Sequence, residues 1–381
     1  MAGGTLRPTA RGWALLASGA VLCGGGLGLG YLAPGALGAL AFPAVALAMV
    51  LAGRLPAARV GRRITAPRVR AGEPVTVVLD VTAGSGTGRA TVAERVTGVG
   101  EPVVLPLGPA RPAIRYELTP QRRGVVEAGP LNLVRTDPLG LARAVRAADD
   151  VPVRLLVHPR HHHLVPVPAA GGGGRDTSSA SVRASEGAFA GLREHAPGDD
   201  VRQIHWRTSA RRGRLMVREH ADSAGTGMTV LVDDRYGPDE LDILVEVAAS
   251  IVRSGPDVPV ELRLAGGVRS PATAGVTAHL DVLAEAAARP GADFPAACAG
   301  LRSAPTGRAI VLLSTSAAGE DTAAAMRPLA ARHTVSLVGL IGPGDTGGGG
   351  GLAAPAGVRL LRAADPAGFA ERWNEGRWWA Q

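Results

Sequence analysis

The sequence predicts a multi-domain membrane protein: an N-terminal transmembrane helical hairpin, a β-sandwich, and a C-terminal doubly wound α/β domain. Three observations predict it. The stretch from Gly12 to Gly53 carries no charge and is about twice the ~20 residues that one spanning helix needs. Short β-rich segments bounded by Gly, Pro and Ser follow it. From about Gly227, apolar strands alternate with helical stripes, the rhythm of a parallel sheet. The expected boundaries are 1–56 for the hairpin, with spans at about 13–32 and 36–53, then 57–163 for the sandwich, 164–186 for a flexible linker and 187–381 for the remainder.

The hairpin reading rests on its break and its flanks. Tyr31-Leu32-Ala33-Pro34-Gly35 interrupts the apolar stretch near its middle, where Pro and Gly suit a tight turn. Trp13 stands at the start, a position where an indole favours the membrane interface. Arg7 and Arg11 precede the first span, and Arg54, Arg59, Arg62 and Arg63 follow the second, whereas the turn has no basic residue. The positive-inside rule then places both ends, and the soluble domains, in the cytoplasm. A cleaved signal peptide would account for the first apolar segment but leaves the second unexplained.

In the sandwich region, Pro74 to Val81, Ile114 to Leu118, Gly124 to Glu127 and Val153 to Val157 read as strands, with no convincing helix among them. Gly171 to Gly174 and the serine-rich run after it have a linker composition. His161, His162 and His163 precede it. Consecutive side chains diverge in most backbones, so three neighbours are a poor metal site.

In the C-terminal region, Met228 to Asp233 is an apolar run ending in acid, as a buried parallel strand does. Leu241, Leu244, Val245, Ala248, Ile251 and Val252 form one helical stripe ended by Gly255. Val258–Leu264, Ala309–Leu313 and Thr334–Ile341 are further strands, and Ala278–Ala288, Asp321–Arg332 and Ala367–Trp379 further helices.

Composition excludes several classes of function. At 46% hydrophobic and 19% charged the chain folds, and with 3% aromatics its core is built from Val, Leu, Ala and Ile. The formal charge of +8 comes entirely from arginine, spread along the chain without an aromatic platform for bases, which argues against nucleic acid. Cys23 and Cys298 lie far apart and imply neither a disulfide framework nor a zinc site.

The segment Leu192 to Glu219 carries the most specific signal. Pro197-Gly198 makes a turn, Asp199 can cap a helix, and Asp200 suits its positive N-terminus. Arginines then sit near the negative end at about Arg212, with Gly213 just beyond. Val201, Ile204 and Thr208 share one stripe, and Trp206 projects roughly opposite. Two readings follow: a well-capped helix with local ion pairs, or a surface that holds an acidic partner or phosphate through Arg211, Arg212 and Arg214.

This segment resembles the signature of the bacterial "domain of unknown function 58" (DUF 58) family, P-G-D-D-x-R-x-I-x-W-x-x-S-A-R-x-G-x-L-x-V-x-E. The matches are Pro197, Gly198, Asp199, Asp200, Arg202, Ile204, Trp206, Ser209, Ala210, Arg211, Gly213, Leu215, Val217 and Glu219. It departs at His205, where family members commonly carry Asp, which puts in doubt any role for an acid there. The likeness extends to the hairpin, to Arg122-Arg123-Gly124-Val125 and to Asp137-Pro138-Leu139-Gly140-Leu141. The resemblance implies two membrane helices, a β-sandwich and a von Willebrand factor A-like domain joined to the motif. Such proteins are typically encoded beside MoxR-type AAA+ ATPases, which makes such an ATPase the implied partner. Asp199, Asp200, Arg202, Trp206, Ser209, Arg211 and Gly213 are the expected interaction residues.

A metal-dependent adhesion site in such a domain needs D-x-S-x-S after the first strand, to offer hard oxygens to a divalent ion. Here Asp233-Asp234-Arg235-Tyr236-Gly237 keeps one Asp and lacks both serines, and Arg235 places a positive charge beside it. The expectation is therefore a degenerate site at Asp233, no bound metal and no cofactor. No Walker loop, nucleophile elbow or zinc-protease helix is present, so the chain reads as a non-enzymatic adaptor tethered by lipid contacts through residues 13–53. The alternatives are a hydrolase-type enzyme using His195, His205 or His220, and a ligand sensor, which needs the opposite topology.

Overall fold

A computed structural model describes residues 4–54, 58–83, 90–98, 103–107, 113–148, 150–167, 189–194, 206–220, 227–255, 258–302, 309–318, 322, 324–325, 335–342 and 357–376. The chain divides into two compact units, Met1–His158 and Pro159–Gln381.

The first unit opens with β1 (Thr5–Pro8), α1 (Ala10–Gly28) and α2 (Leu32–Gly53). Thr9 caps α1, its side chain accepting from Gly12 N. The two helices pack through glycine. A Cβ on Gly19 would stand 2.8 Å from the Gly38 carbonyl oxygen and 2.5 Å from Ala41 Cβ, and one on Gly38 would meet Gly19 O at 2.5 Å. Backbones this close suit an apolar surrounding, where packing rather than water exclusion holds helices together. Side chains face outward instead: Trp13, Val21, Leu22, Leu27, Leu37, Leu40, Phe42, Leu47 and Val50 are all exposed. One helix near the N-terminus, α2, is long and apolar enough to cross a membrane, with 22 residues and a mean hydropathy of 2.1.

The helix boundaries correct the expected spans of 13–32 and 36–53. The chain turns at Leu29-Gly30, with Gly30 at φ +78°, and Pro34-Gly35 lie inside the first turn of α2. The first helical turn has no intrahelical partner for its N–H groups, so a proline there costs nothing and does not break the helix.

The remaining strands are β2 (Ala58–Ile64), β3 (Arg68–Arg70), β4 (Val75–Ala83), β5 (Ala90–Val96), β6 (Val103–Leu107), β7 (Ala113–Leu118), β8 (Gly124–Thr136), β9 (Ala142–Ala147) and β10 (Val153–His158). They form a seven-stranded sheet running β1-β9-β8-β10-β3, with β5 joining β8 to β6, and a three-stranded sheet β2-β4-β7. One core lies between them, with Val75, Val77, Leu79, Ile114 and Leu118 from the small sheet meeting Val92, Leu131, Leu133, Leu155 and Val157 from the large one. That is a two-layer sandwich. A buried polar tie crosses it: Arg62 pairs with Glu94 at 2.8 Å and Asp150 at 2.9 Å, and Tyr116 Oη donates to Glu94 at 2.5 Å.

The hairpin is seated on this sandwich through the turn between β8 and β9. Asp137, buried, accepts from Leu139 N at 2.9 Å and from Ala142 N at 2.6 Å, which fixes the turn. Thr9 then donates its hydroxyl to Gly140 O at 2.5 Å and its amide to Leu141 O at 2.8 Å. Val45, Ala48 and Ala52 of α2 bury against Leu141, Ala142 and Ala144.

The second unit contains β11 (Phe189–Glu194), α3 (Trp206–Arg212), β12 (Met216–His220), β13 (Met228–Val232), α4 (Pro238–Ser254), β14 (Val260–Leu264), β15 (Arg269–Ser270), α5 (Gly275–Glu285), α6 (Phe294–Leu301), β16 (Ala309–Thr315), β17 (Val335–Ile341), β18 (Arg359–Ala363) and α7 (Pro366–Glu375). A six-stranded sheet runs β15-β14-β13-β16-β17-β18. All its pairs are parallel except β14–β15 at one edge. Cores on its two faces use alternate residues of the same strands, as a doubly wound sheet requires. The stripe of α4 (Leu241, Leu244, Val245, Ala248, Ile251 and Val252) is wholly buried. Of the expected helix at 321–332, most lies outside the described residues, as do residues 168–186 of the expected linker.

The sequence placed the end of the sandwich at residue 163. The compact units divide after His158, and the following residues lace onto helices of the second unit. His162 Nε2 lies 2.8 Å from Glu246 of α4, and its amide donates to Ser250 Oγ at 2.9 Å. Trp373 Nε1 of α7 donates to Val165 O at 3.0 Å, while Leu164 and Val167 enter the core. His162 is therefore tied to α4, and the His163 carbonyl accepts from Asn374 Nδ2 of α7 at 3.0 Å.

Candidate functional site

Two places in the second unit bring sequence-predicted site residues together. The first is the signature segment. Its residues 195–205, with Asp199, Asp200, Arg202 and His205, lie outside the described residues. From Trp206 onward the chain forms α3, turns and enters β12, which pairs antiparallel with β11. Ser209 is the pivot. It is buried, and its Oγ accepts from Met216 N at 2.8 Å, so it pins the helix to the strand it leads into. Gly213 N donates to Ser209 O at 2.9 Å while Gly213 takes φ +66°, a left-handed end that a side chain would strain.

This lock fixes what points outward. Trp206 is 64% exposed, and Leu215, after the turn, is also exposed. Arg211 and Arg214 lie on the open side as well. An indole offered to solvent from a helix of seven residues buries little of its own area, so it contributes little to the fold. Ser209 and Gly213 thus have structural duties, while Trp206 and Arg211 face outward.

The second place is the carboxyl end of β13, where the order of the sheet reverses between β13 and β16. In open α/β sheets this switch point is the usual ligand crevice. Asp233, fully buried, accepts two parallel bonds from Arg235: Nε to Oδ1 and Nη2 to Oδ2, both at 2.8 Å. Ser314 Oγ donates to Oδ2 at 2.7 Å from the end of β16. The guanidinium lies 4.2 Å over the Phe294 ring. Bonding to Asp233 holds Arg235 above its ordinary pKa, so the positive charge is permanent. A cation from the chain itself already occupies the oxygens that a divalent ion would take. Among the described residues, no cluster of three or more His, Cys, Asp or Glu is arranged to hold a metal.

Asp234 is a residue that the sequence reading passed over. It is fully buried, accepts from Gly266 N at 2.7 Å through Oδ1, and has no hydrogen-bond partner for Oδ2 among the described residues. Burial raises its pKa. An acidic doublet ending an apolar strand was the only available signal. Burial also pushes the Cys298 thiol up to about 12, so at neutral pH it is not the thiolate that nucleophilic chemistry needs.

Beside this point lies a cavity of about 540 Å³ between the β14–β15 edge and α6, lined by Arg263, Gly266, Arg269, Asp293, Ala296 and Gly300 among others. Arg263 and Arg269 stand opposite each other in the ladder, and both pair with buried Glu261, at 2.8 Å and 2.6 Å. Burial raises the Glu261 pKa, but the bonds and charges of the two arginines outweigh it and leave the carboxyl below its usual value.

Residues 191–347 match the family model described as "Protein of unknown function DUF58". A 65-residue stretch is 38% identical to "Uncharacterized protein YeaD" of Bacillus subtilis (strain 168), covering 17% of this chain and 16% of that protein. The chain thus aligns with about a sixth of the length of that curated relative. Among solved structures, the CARDB domain of the PF1109 protein in complex with di-metal ions from Pyrococcus furiosus aligns at 14% identity and a TM-score of 0.19, over 27% of this chain and 88% of that one. A chitin binding domain from Burkholderia pseudomallei aligns at 18% identity and a TM-score of 0.14, over 24% of this chain and 55% of that one. Neither structural likeness bears on the reading below.

Proposed function

We propose that this chain is a membrane-anchored, non-enzymatic interaction protein whose signature segment binds a protein partner, a MoxR-type AAA+ ATPase. One observation carries the reading: a 64%-exposed Trp206 on a short helix that is pinned in place by Ser209 and Gly213. Exposed, rigidly held tryptophans with arginines beside them are the side chains that dominate protein interfaces. Arg211 supplies an exposed charge on the same short helix, and Asp199, Asp200 and Arg202 belong to the same surface in this reading. The arrangement of the α/β sheet, parallel with one antiparallel edge strand, supports a von Willebrand factor A-like domain as the platform. The paired Asp233 and Arg235 support a domain that works without a bound metal.

The anchor in this reading is the α1–α2 hairpin, with both helices spanning. Its seam of glycines and its outward apolar coat support that arrangement. Arginines at both ends and none at the turn support cytoplasmic placement of the soluble parts.

The test is a crosslinked pull-down of the full-length protein from native membranes, with Trp206→Ala and Arg211→Ala in parallel. The expected result is an AAA+ ATPase captured by the parent chain and lost with variants whose melting temperature is unchanged. Equal capture by the Trp206→Ala variant, or no ATPase at all, would reject the proposal.

A further inference from the structure

The foot of the hairpin carries a cluster of cations that the anchor alone does not explain. Arg7 of β1 and Arg143 of β9 stand directly opposite each other in antiparallel register, and both are exposed. Like charges facing across a ladder destabilise it. Among the described residues no carboxylate lies within ion-pair distance of either. Arg11 adds a third charge: its Nη1 lies 3.7 Å from where a Cβ on Gly140 would stand. Among the described residues this concentration lacks an anion.

Beside it the turn between β8 and β9 presents Leu139, 70% exposed. The turn is not free to fold that leucine away, because Asp137 holds it by two backbone bonds and Thr9 holds Gly140 and Leu141. Leu139 therefore stands level with the first residue of α1, and exposed Trp13 lies one helical turn further along. An apolar prong, an indole within one helical turn of its level, and arginines with no carboxylate partner among the described residues match a single environment, the headgroup layer of an anionic bilayer.

We propose that Arg7 and Arg143 together hold the phosphate of an anionic phospholipid, while Leu139 enters the interfacial layer. Two guanidinium forks can each offer parallel N–H bonds to phosphate oxygens, and the bound anion removes the repulsion between them. The turn Asp137–Leu141 thereby becomes a third membrane contact beside α1 and α2, and it sets the sandwich at a fixed height over the bilayer. This inference rests on the hairpin being membrane-inserted.

The experiment uses the full-length protein in nanodiscs of phosphatidylcholine with or without phosphatidylglycerol. A nitroxide on Leu139→Cys, in a Cys23→Ala background, reports depth, and native mass spectrometry counts retained phosphatidylglycerol. The expected result is a nitroxide shielded from an aqueous relaxation agent, and retention that falls roughly tenfold or more in the Arg7→Gln/Arg143→Gln double variant. Arg63→Gln/Arg154→Gln, at two exposed arginines already paired with Asp80 and Glu127, is the charge-matched control and should retain lipid. A water-accessible nitroxide on protein that still resists carbonate extraction would overturn this proposal and leave the anchor standing. Equal phosphatidylglycerol retention by the double variant would overturn it too. Protein that fails to enter the discs would instead defeat the membrane reading on which it depends.

Discussion

Ser209 shows how little of a site can depend on the residues that meet a ligand. Its hydroxyl serves the Met216 amide, so removing it leaves a buried N–H without a partner. Ser209→Ala is expected to cost about 1–3 kcal/mol in a denaturation of the detergent-solubilised protein. Glu261 makes a residue-scale prediction about pH. Its folded-state pKa is lowered, so its contribution is present above the ordinary value of 4.5 and is lost as pH falls through the folded value. The midpoint of thermal unfolding should therefore drop between about pH 5 and about pH 3, and Glu261→Gln should show a smaller drop over that window. An identical pH profile in the variant would show that the two arginines do not hold its charge. Neither role was legible in the sequence. The Ser209–Met216 bond depends on a turn whose geometry only the backbone shows, and Glu261 acquires its second arginine from across a hairpin.

At the scale of elements, legibility followed periodicity. The α4 stripe and the apolar run of β13 were readable because nearly all their buried positions are hydrophobic, with Ser250 and Thr229 the buried polar exceptions. β5 was not. Its inward residues are Ala90, Val92, Glu94 and Val96, and the buried acid disguises the alternation until Arg62 arrives from another strand. The hairpin was readable from the missing charge, yet its turn was misplaced, because Pro34 is a breaker only beyond the first helical turn. The close approach of α1 and α2 makes a paired prediction. Gly19→Leu should push the helices apart and lower the melting temperature in detergent, whereas Gly24→Leu, with nothing within 4 Å of its Cβ position, should leave it unchanged. Equal effects would mean that the helices do not meet at this seam.

At the scale of the whole molecule, the two units carry different parts of the account. The first holds an apolar hairpin to a sandwich through the Asp137 turn, and the second contains a signature helix pinned to β12 and an α/β sheet whose switch point is closed by its own arginine. The division of labour was visible in composition: a charge-free N-terminal stretch, then β-rich segments, then strand–helix alternation. What remained hidden was which signature residues support the fold and which face outward, since Asp, Arg, Trp, Ser and Gly all have structural uses near a helix end. The structure assigns Ser209 and Gly213 to support and leaves Trp206 and Arg211 outward.

The central claim is that Trp206 meets a partner, and it is tested most directly by placing a photocrosslinker at that position. With Trp206 replaced by p-benzoylphenylalanine in the full-length protein, irradiation of native membranes should yield an adduct containing an AAA+ ATPase. The same probe at exposed Leu139 should give no such adduct. Irradiation that crosslinks position 206 only to its own chain, or to nothing, would contradict the account.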